Sequence, residues 1–285
     1  MSKPRAIIDL GTNTFQLLIA EPDASGNLKT IQEMHTAVGL GKGAMETGLL
    51  QLDAMARALE ALERFLWESQ NKGCESILGI GTSVLRNARN ASAFIEVVET
   101  QLGIPIQVIS GMQEAEYIFQ GIVHSMPQPW NEVSMIMDIG GGSVEFIIFQ
   151  GQDILFKTSL EVGGLKLQSL FQVDGEFGLQ IENELEEHLF AELIDVQDAV
   201  ALFRPKYLIG AAGAFETLAD IQLAHGYLNQ IEKTNELNQS GFYLLKEKMA
   251  GMSLGERQEI PGMKAFRASM IPYANSLIAH ILDQG

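Results

Sequence analysis

The chain is poor in cysteine, in basic residues and in long apolar runs, and each shortage excludes something. Its 285 residues include one cysteine, Cys74. That rules out an internal disulfide and a thiolate metal cage. Lysine and arginine number 19 against 36 aspartates and glutamates, for a formal net charge of −17. Holding DNA or RNA by backbone neutralisation needs a basic face, as does binding an anionic membrane. Neither a nucleic acid polymer nor a membrane is therefore an expected partner. No apolar run approaches the length that crosses a bilayer. The start, MSKPRAIIDLGTNTFQLLIAE, places two basic residues before apolar ones, but Asp9 breaks the run. No small-residue cleavage site follows, so the chain reads as cytoplasmic. His35, His124, His188, His225 and His280 form no ligand-spaced cluster, so no zinc is assigned.

What is present is the composition of a globular α/β protein. Hydrophobic residues make up 46% and charged residues 19%, which excludes a disordered chain. The length suits one large domain or two ordinary ones.

The chain repeats itself. Ala6 to Ala20, AIIDLGTNTFQLLIA, aligns without gaps on Met135 to Phe149, MIMDIGGGSVEFIIF. Asp9 falls on Asp138, Gly11 on Gly140, Asn13 on Gly142 and Thr14 on Ser143. Each copy is an apolar strand ending in an aspartate, then a glycine and hydroxyl turn, then a second apolar strand. Such a match predicts two structurally related halves. Third strands are expected at Leu28 to Thr36, after the turn Asp23-Ala24-Ser25-Gly26-Asn27, and at Asp153 to Val162. Helical periodicity covers Gln51 to Gln70 and, more weakly, Glu176 to Leu193. Further short strands are expected at Ser76 to Ile80, Ile106 to Ile109 and Tyr207 to Ile209. Ser110-Gly111-Met112-Gln113 has the form of a capping box opening a helix. The segment Met126-Pro127-Gln128-Pro129-Trp130 sets a domain boundary, giving domains 1–127 and 128–285. The last helix is a candidate to pack back on the first domain.

The duplicated turns carry chemistry. Their glycines allow backbone N–H groups to approach a ligand closely, and successive N–H groups make an anion-binding nest. Gly11, Thr12, Asn13 and Thr14 in one turn, and Gly140, Gly141, Gly142 and Ser143 in the other, are candidate phosphate binders. Asp9 and Asp138, at the strand ends, are placed to hold a divalent cation, which takes one or two protein carboxylates beside phosphate oxygens and water. Glu145 lies in an apolar strand. Either it is buried, where a metal ion would explain it, or it faces outward in an alternating strand.

Four segments occur in order: Asp9-Leu10-Gly11-Thr12-Asn13-Thr14, Gly81-Thr82-Ser83-Val84-Leu85-Arg86, Ile109-Ser110-Gly111-Met112-Gln113-Glu114-Ala115, and Asp138-Ile139-Gly140-Gly141-Gly142-Ser143-Val144-Glu145. Together they resemble the exopolyphosphatase and guanosine-pentaphosphate phosphatase family, part of the sugar kinase, Hsp70 and actin superfamily. Glu256-Arg257, Ile260-Pro261-Gly262 and Arg267-Ala268 resemble its late helical segment. The resemblance implies an α/β fold of two ribonuclease H-like (actin-like ATPase) domains of duplicated topology, flanking a central cleft, in the short two-domain form.

The resemblance also implies an activity: release of the terminal phosphate from inorganic polyphosphate by metal-assisted in-line attack of water. Alternatives are a guanosine pentaphosphate 5′-phosphohydrolase, or hydrolysis of another short phosphoanhydride, and a non-hydrolytic nucleotide-binding sensor. Glu114 matches the catalytic glutamate, in a first helical turn where the dipole favours its ionised form. Asp138 and Glu145, with Asp9, match the positions that hold Mg²⁺ or another divalent cation such as Mn²⁺. Arg86 matches a basic residue facing the phosphates. Gly210 and Gly213, in Gly210-Ala211-Ala212-Gly213-Ala214, match a third phosphate loop. A homodimer is a candidate assembly.

The departures from the family pattern are mostly losses of cations. Gln16, Gly39 and Glu116 stand where basic residues are frequent, and Ala212 and Ala214 where hydroxyls are usual. Lys166 stands in place of an arginine. Lys42 and Arg89 are candidates to compensate. With the acidic surface, these losses predict a preference for short phosphate chains or nucleotides over long polymers.

Overall fold

The computed structural model describes residues 3–23, 27–126, 131–171, 177–211, 213–227 and 236–284. It divides into two compact units, 1–110 and 111–285. In the first unit the strands are β1 (Arg5–Leu10), β2 (Thr14–Pro22), β3 (Leu28–Ala37), β4 (Ser76–Gly81) and β5 (Ile106–Val108). Its helices are α1 (Ala44–Thr47), α2 (Leu52–Asn71), α3 (Ser83–Asn87) and α4 (Ala91–Leu102). The second unit begins with α5 (Gly111–Ser125), followed by β6 (Ser134–Ile139), β7 (Val144–Gln150), β8 (Asp153–Leu160), α6 (Gly164–Phe171), α7 (Leu179–Glu192) and α8 (Ile194–Phe203). It continues through β9 (Tyr207–Ala211), α9 (Gly213–Ala224), α10 (Gln239–Ala250), α11 (Leu254–Gln258), a 3₁₀ turn at Ala265–Arg267 and α12 (Ile271–Leu282).

The two sheets repeat one plan. The first runs β3-β2-β1-β4-β5 and the second β8-β7-β6-β9. In each, an antiparallel three-strand meander is followed by a strand parallel to its first member. The aligned repeat holds down to its irregularities. The register slips between Ile19 and Ala20 in β2. It slips again between Ile148 and Phe149 in β7, at the matching place.

Alternation explains the first unit. Ala6, Ile8, Leu10, Phe15, Leu17 and Ile19 point to one side of β1 and β2 and are buried with Ala54, Ala58, Leu62 and Phe65 of α2. The expected α2 is observed one residue inside its bounds at the start and one beyond at the end.

The central strands of the second sheet are buried on both faces, so alternation is lost there. One face packs Met137, Phe146 and Ile148 against the helices, including Leu185, Val196, Leu218 and Leu277. The other face packs Ile136, Ile147 and Phe149 under Ala115, Phe119 and Val123 of α5. Phe119 meets Phe149 edge-on, with centroids 5.2 Å apart. This packing carries α5 with the second sheet, so the compact units part between Ser110 and Gly111, upstream of the 127/128 boundary read from composition. Residues 127–130 lie outside the described residues, as do Ala24 to Gly26 of the expected turn, Glu176 and Ala212. Helix α12 is buried almost throughout and packs on α6, α7 and α10 of its own unit. Among the described residues, no helix is long and apolar enough to cross a membrane.

Candidate active site

In both units a second segment docks beneath the glycine turn and takes up its carbonyls. In the first unit, Val38 and Gly39 donate backbone N–H bonds to Asn13 O at 3.0 and 2.8 Å, and Gly41 donates to Thr12 O at 2.7 Å. In the second, Gly163 donates to Gly142 O at 3.0 Å, Gly164 to Gly140 O at 2.9 Å, and Leu165 and Lys166 to Gly141 O at 2.9 and 3.1 Å. Within the second turn the Gly140 N–H is itself spent on Ser143 O at 3.0 Å. The fit has no slack at Gly163, where a Cβ would lie 2.5 Å from Gly142 C and 2.6 Å from Gly141 C.

Around the first turn, Thr12 is buried. The Thr82 hydroxyl donates to Leu10 O at 3.4 Å. Arg86, in the last turn of α3, donates from Nη1 to Ile109 O at 3.1 Å, at the junction that leads into α5. Arg89 donates to Thr47 O at 3.0 Å, which ties its guanidinium to the end of α1. Lys42 is exposed. Gly39 has φ of 63°, a conformation that disfavours any side chain, so the cation missing at that position has a backbone reason. The Arg57 guanidinium of α2 comes within 3.9 Å of where a Cβ at Gly39 would be, while donating to Val38 O at 2.9 Å.

The second unit gathers the acids. Asp138 and Glu145 are register partners on β6 and β7, and Glu145 pairs in turn with Ser159 on β8. These residues form one transverse row on the face that α5 covers. Glu114 lies in the first turn of α5, and its charge acts on both carboxyl groups. Burial, then Glu114 and Glu216, push the Asp138 carboxyl up from its ordinary range to about 7, while Arg267 pulls the other way. Burial foremost, then Glu114 and Asp138, raise Glu145, while Ser159 and Ser143 lower it through hydrogen bonds. Glu145 is 1% exposed, which decides between its two sequence readings in favour of the buried one.

Two adjacent acids, Glu145 buried and Asp138 half-buried, are costly to ionise together, a cost that protons or a cation relieve. Among the described residues, no group of three histidine, cysteine or acidic side chains is placed to hold a metal ion. Two adjacent carboxylates do fit an ion that takes one or two from protein and the rest from water and phosphate oxygens. Asp9 belongs to the first unit and pairs in register with Gln16 of β2.

The third loop is shaped by its neighbours. Gly210 lies within β9, and a Cβ there would fall 2.1 Å from the Phe215 ring. Gly213 opens α9 against the Arg267 guanidinium, whose Nη1 would be 1.7 Å from a Cβ at that site. Arg267 feels the charges of Glu216, Asp220 and Asp138. Its Nη1 is buried with no hydrogen-bond acceptor among the described residues. Lys166 is half-buried in the first turn of α6.

Sequence reading passed over Arg267, Ser159 and Gly163 as functional positions. The sequence pattern places Arg267 only in a late helical segment. Its arginine after a proline-glycine turn, far from the other motifs, gave no hint of Gly213. Gly163 could have been found: Val162-Gly163 follows the second turn as Val38-Gly39 follows the first.

A duplicated sheet of this topology, with a glycine turn in each copy and an acid pair beside one of them, defines an actin-like fold. The chain belongs to the Ppx/GppA phosphatase family, whose model matches residues 18–284. It is 33% identical to an exopolyphosphatase from Cytophaga hutchinsonii, with a TM-score of 0.92 over 99% of this chain and 91% of that one. A Ppx/GppA family member from Aquifex aeolicus shares the fold at 24% identity, with a TM-score of 0.78 over 99% of this chain and 90% of that one.

Proposed function

We propose that this phosphatase releases the terminal phosphate from inorganic polyphosphate. The observation that carries the reading is the Asp138–Glu145 register pair beside the 140–143 turn, with the charge of Glu114 acting on both carboxyl groups. The similar Cytophaga hutchinsonii exopolyphosphatase supports the substrate class.

In this reading, the amides of Gly141 and Gly142 hold phosphoryl oxygens in the second unit, while the Gly140 N–H stays on Ser143 O and the Ser143 hydroxyl on Glu145; Gly11 to Thr14 are the candidates for the same role in the first. Asp138 and Glu145 would hold Mg²⁺ or Mn²⁺, the other positions being left to water and phosphate oxygens. When bound, the cation neutralises charge on the terminal phosphates and the leaving oxygen. Glu114, as a carboxylate, orients a water molecule and accepts its proton as the water oxygen bonds to the terminal phosphorus. The bridging P–O bond breaks, and the products are orthophosphate and a chain one unit shorter. Arg86 and Arg267 are the cations proposed to meet the phosphate chain.

The same chemistry would serve guanosine pentaphosphate, and the substrates are separated by assay. Phosphate release with Mg²⁺ should be measured from short polyphosphate, long polyphosphate and guanosine pentaphosphate. The expected result is turnover with a preference for short chains. No turnover of any of the three would sink the hydrolase reading, and nucleotide binding without turnover would favour a sensor. A rate per chain end that climbs with polymer length would refute the chain-length preference.

A further inference from the structure

Strand β8 carries none of the motif residues, yet its Ser159 reaches Glu145 from outside the β6–β7 hairpin. The Ser159 Oγ donates to Glu145 Oε1 at 2.7 Å. The two residues are directly paired in the β7–β8 register, so the contact is built into the sheet. β8 is the edge strand, and α5 packs upon it. The register shift in this strand pair lies at Ile148/Phe149, at the other end. Ser159 is therefore held opposite Glu145 by regular pairing.

A carboxyl group on three rotatable bonds, buried in an apolar strand, has few polar partners to fix its plane. A hydroxyl at 2.7 Å on one oxygen restricts that rotation. We infer that Ser159 is a positioning residue, which orients the Glu145 carboxylate for the divalent cation. The inference rests on the reading of Asp138 and Glu145 as the cation pair. Ser159 does not itself touch the cation or substrate. Outer hydrogen-bonding partners of metal ligands typically set affinity by about 10–100-fold. Removing this one takes a donor from a buried carboxyl group that Ser143 also hydrogen-bonds, which carries a desolvation cost.

The test compares Ser159→Ala with Ser159→Thr, which keeps the hydroxyl on a residue suited to a strand. Mn²⁺ binding to the free protein is followed by electron paramagnetic resonance. The Mg²⁺ concentration for half-maximal phosphate release is measured in parallel, and folding is checked by thermal melts. The expected result is Mn²⁺ binding weakened roughly 10-fold or more in Ser159→Ala. Ser159→Thr should bind close to wild type, and kcat of Ser159→Ala should recover substantially at saturating metal. Unchanged Mn²⁺ affinity in a folded Ser159→Ala protein would overturn the inference alone. Loss of affinity in Ser159→Thr equal to that in Ser159→Ala would also overturn it, because the hydroxyl would then not be the cause. If the wild-type protein showed no saturable Mn²⁺ site, the cation reading would fall and the inference with it.

Discussion

Glu116 on α5 lies 3.1 Å from Lys157 on β8, carboxylate to ammonium. The pair ties the helix that bears Glu114 to the edge strand that bears Ser159. It also consumes a cation beside the site. Glu116 is about half exposed, so the pair is worth little to stability. Glu116→Lys would replace an anion by a cation and release Lys157 from its partner. The expected outcome is a KM for long polyphosphate lowered several-fold at low ionic strength, with kcat nearly unchanged. The gain should vanish at high salt, where exposed charges are screened. Steady-state kinetics against chain length and salt would check it.

Glu114→Ala tests the proposed base. A positioned general base contributes about 10²–10⁴-fold, so kcat should fall by that order. KM should change far less, since the turns that bind phosphate are untouched. Undiminished turnover would remove Glu114 from its role.

Asp138 gives a pH dependence with a definite sign. Its folded pKa of about 7 lies above its ordinary value of 3.8. The native state thus favours the protonated form. Its contribution to stability is fully present below the unfolded pKa and is lost as pH rises through the folded one. In metal-free buffer the melting temperature should fall between about pH 4 and about pH 7. Asp138→Asn should flatten that decline and melt above wild type at the upper end. Mg²⁺ should stabilise the wild type more at the upper end, because protons and cation compete for the carboxylate. Melts across pH, with and without Mg²⁺, would decide it.

These outcomes draw unevenly on what the residues alone reveal. The duplicated hairpins were legible because an apolar strand, an aspartate and a glycine turn recur without a gap. The structure repeats even the register slip. The Asp138 and Glu145 pairing follows from hairpin register, which the turn length sets. The burial of Glu145 was not legible, because a strand covered on both faces loses alternation. The partition at Ser110 was hidden for a related reason. It depends on α5 choosing the far face of the second sheet through Phe119 and Phe149. Nor does spacing reveal that Arg267 rests on Gly213, since dozens of residues and two helices lie between them.

Gly163 and Gly213 should respond differently to alanine, although both lack room for a Cβ. At Gly163 the obstacle is the backbone of Gly141 and Gly142, at 2.6 and 2.5 Å. Backbone cannot step aside without opening the turn. Gly163→Ala should therefore cost about 1–3 kcal/mol, the range of overpacking, and should lower activity with all substrates. At Gly213 the obstacle is the end of a long side chain, Arg267 Nη1 at 1.7 Å. A guanidinium can swing away, so Gly213→Ala should fold with a smaller loss of stability. Its effect should appear in catalysis, as a raised KM for phosphate chains if Arg267 meets them. Arg267→Ala should then add little to Gly213→Ala, since both remove the same contact. Denaturant melts and the kinetics of the two single variants and the double would check it, and additive effects on KM would show that Gly213 acts through something other than Arg267.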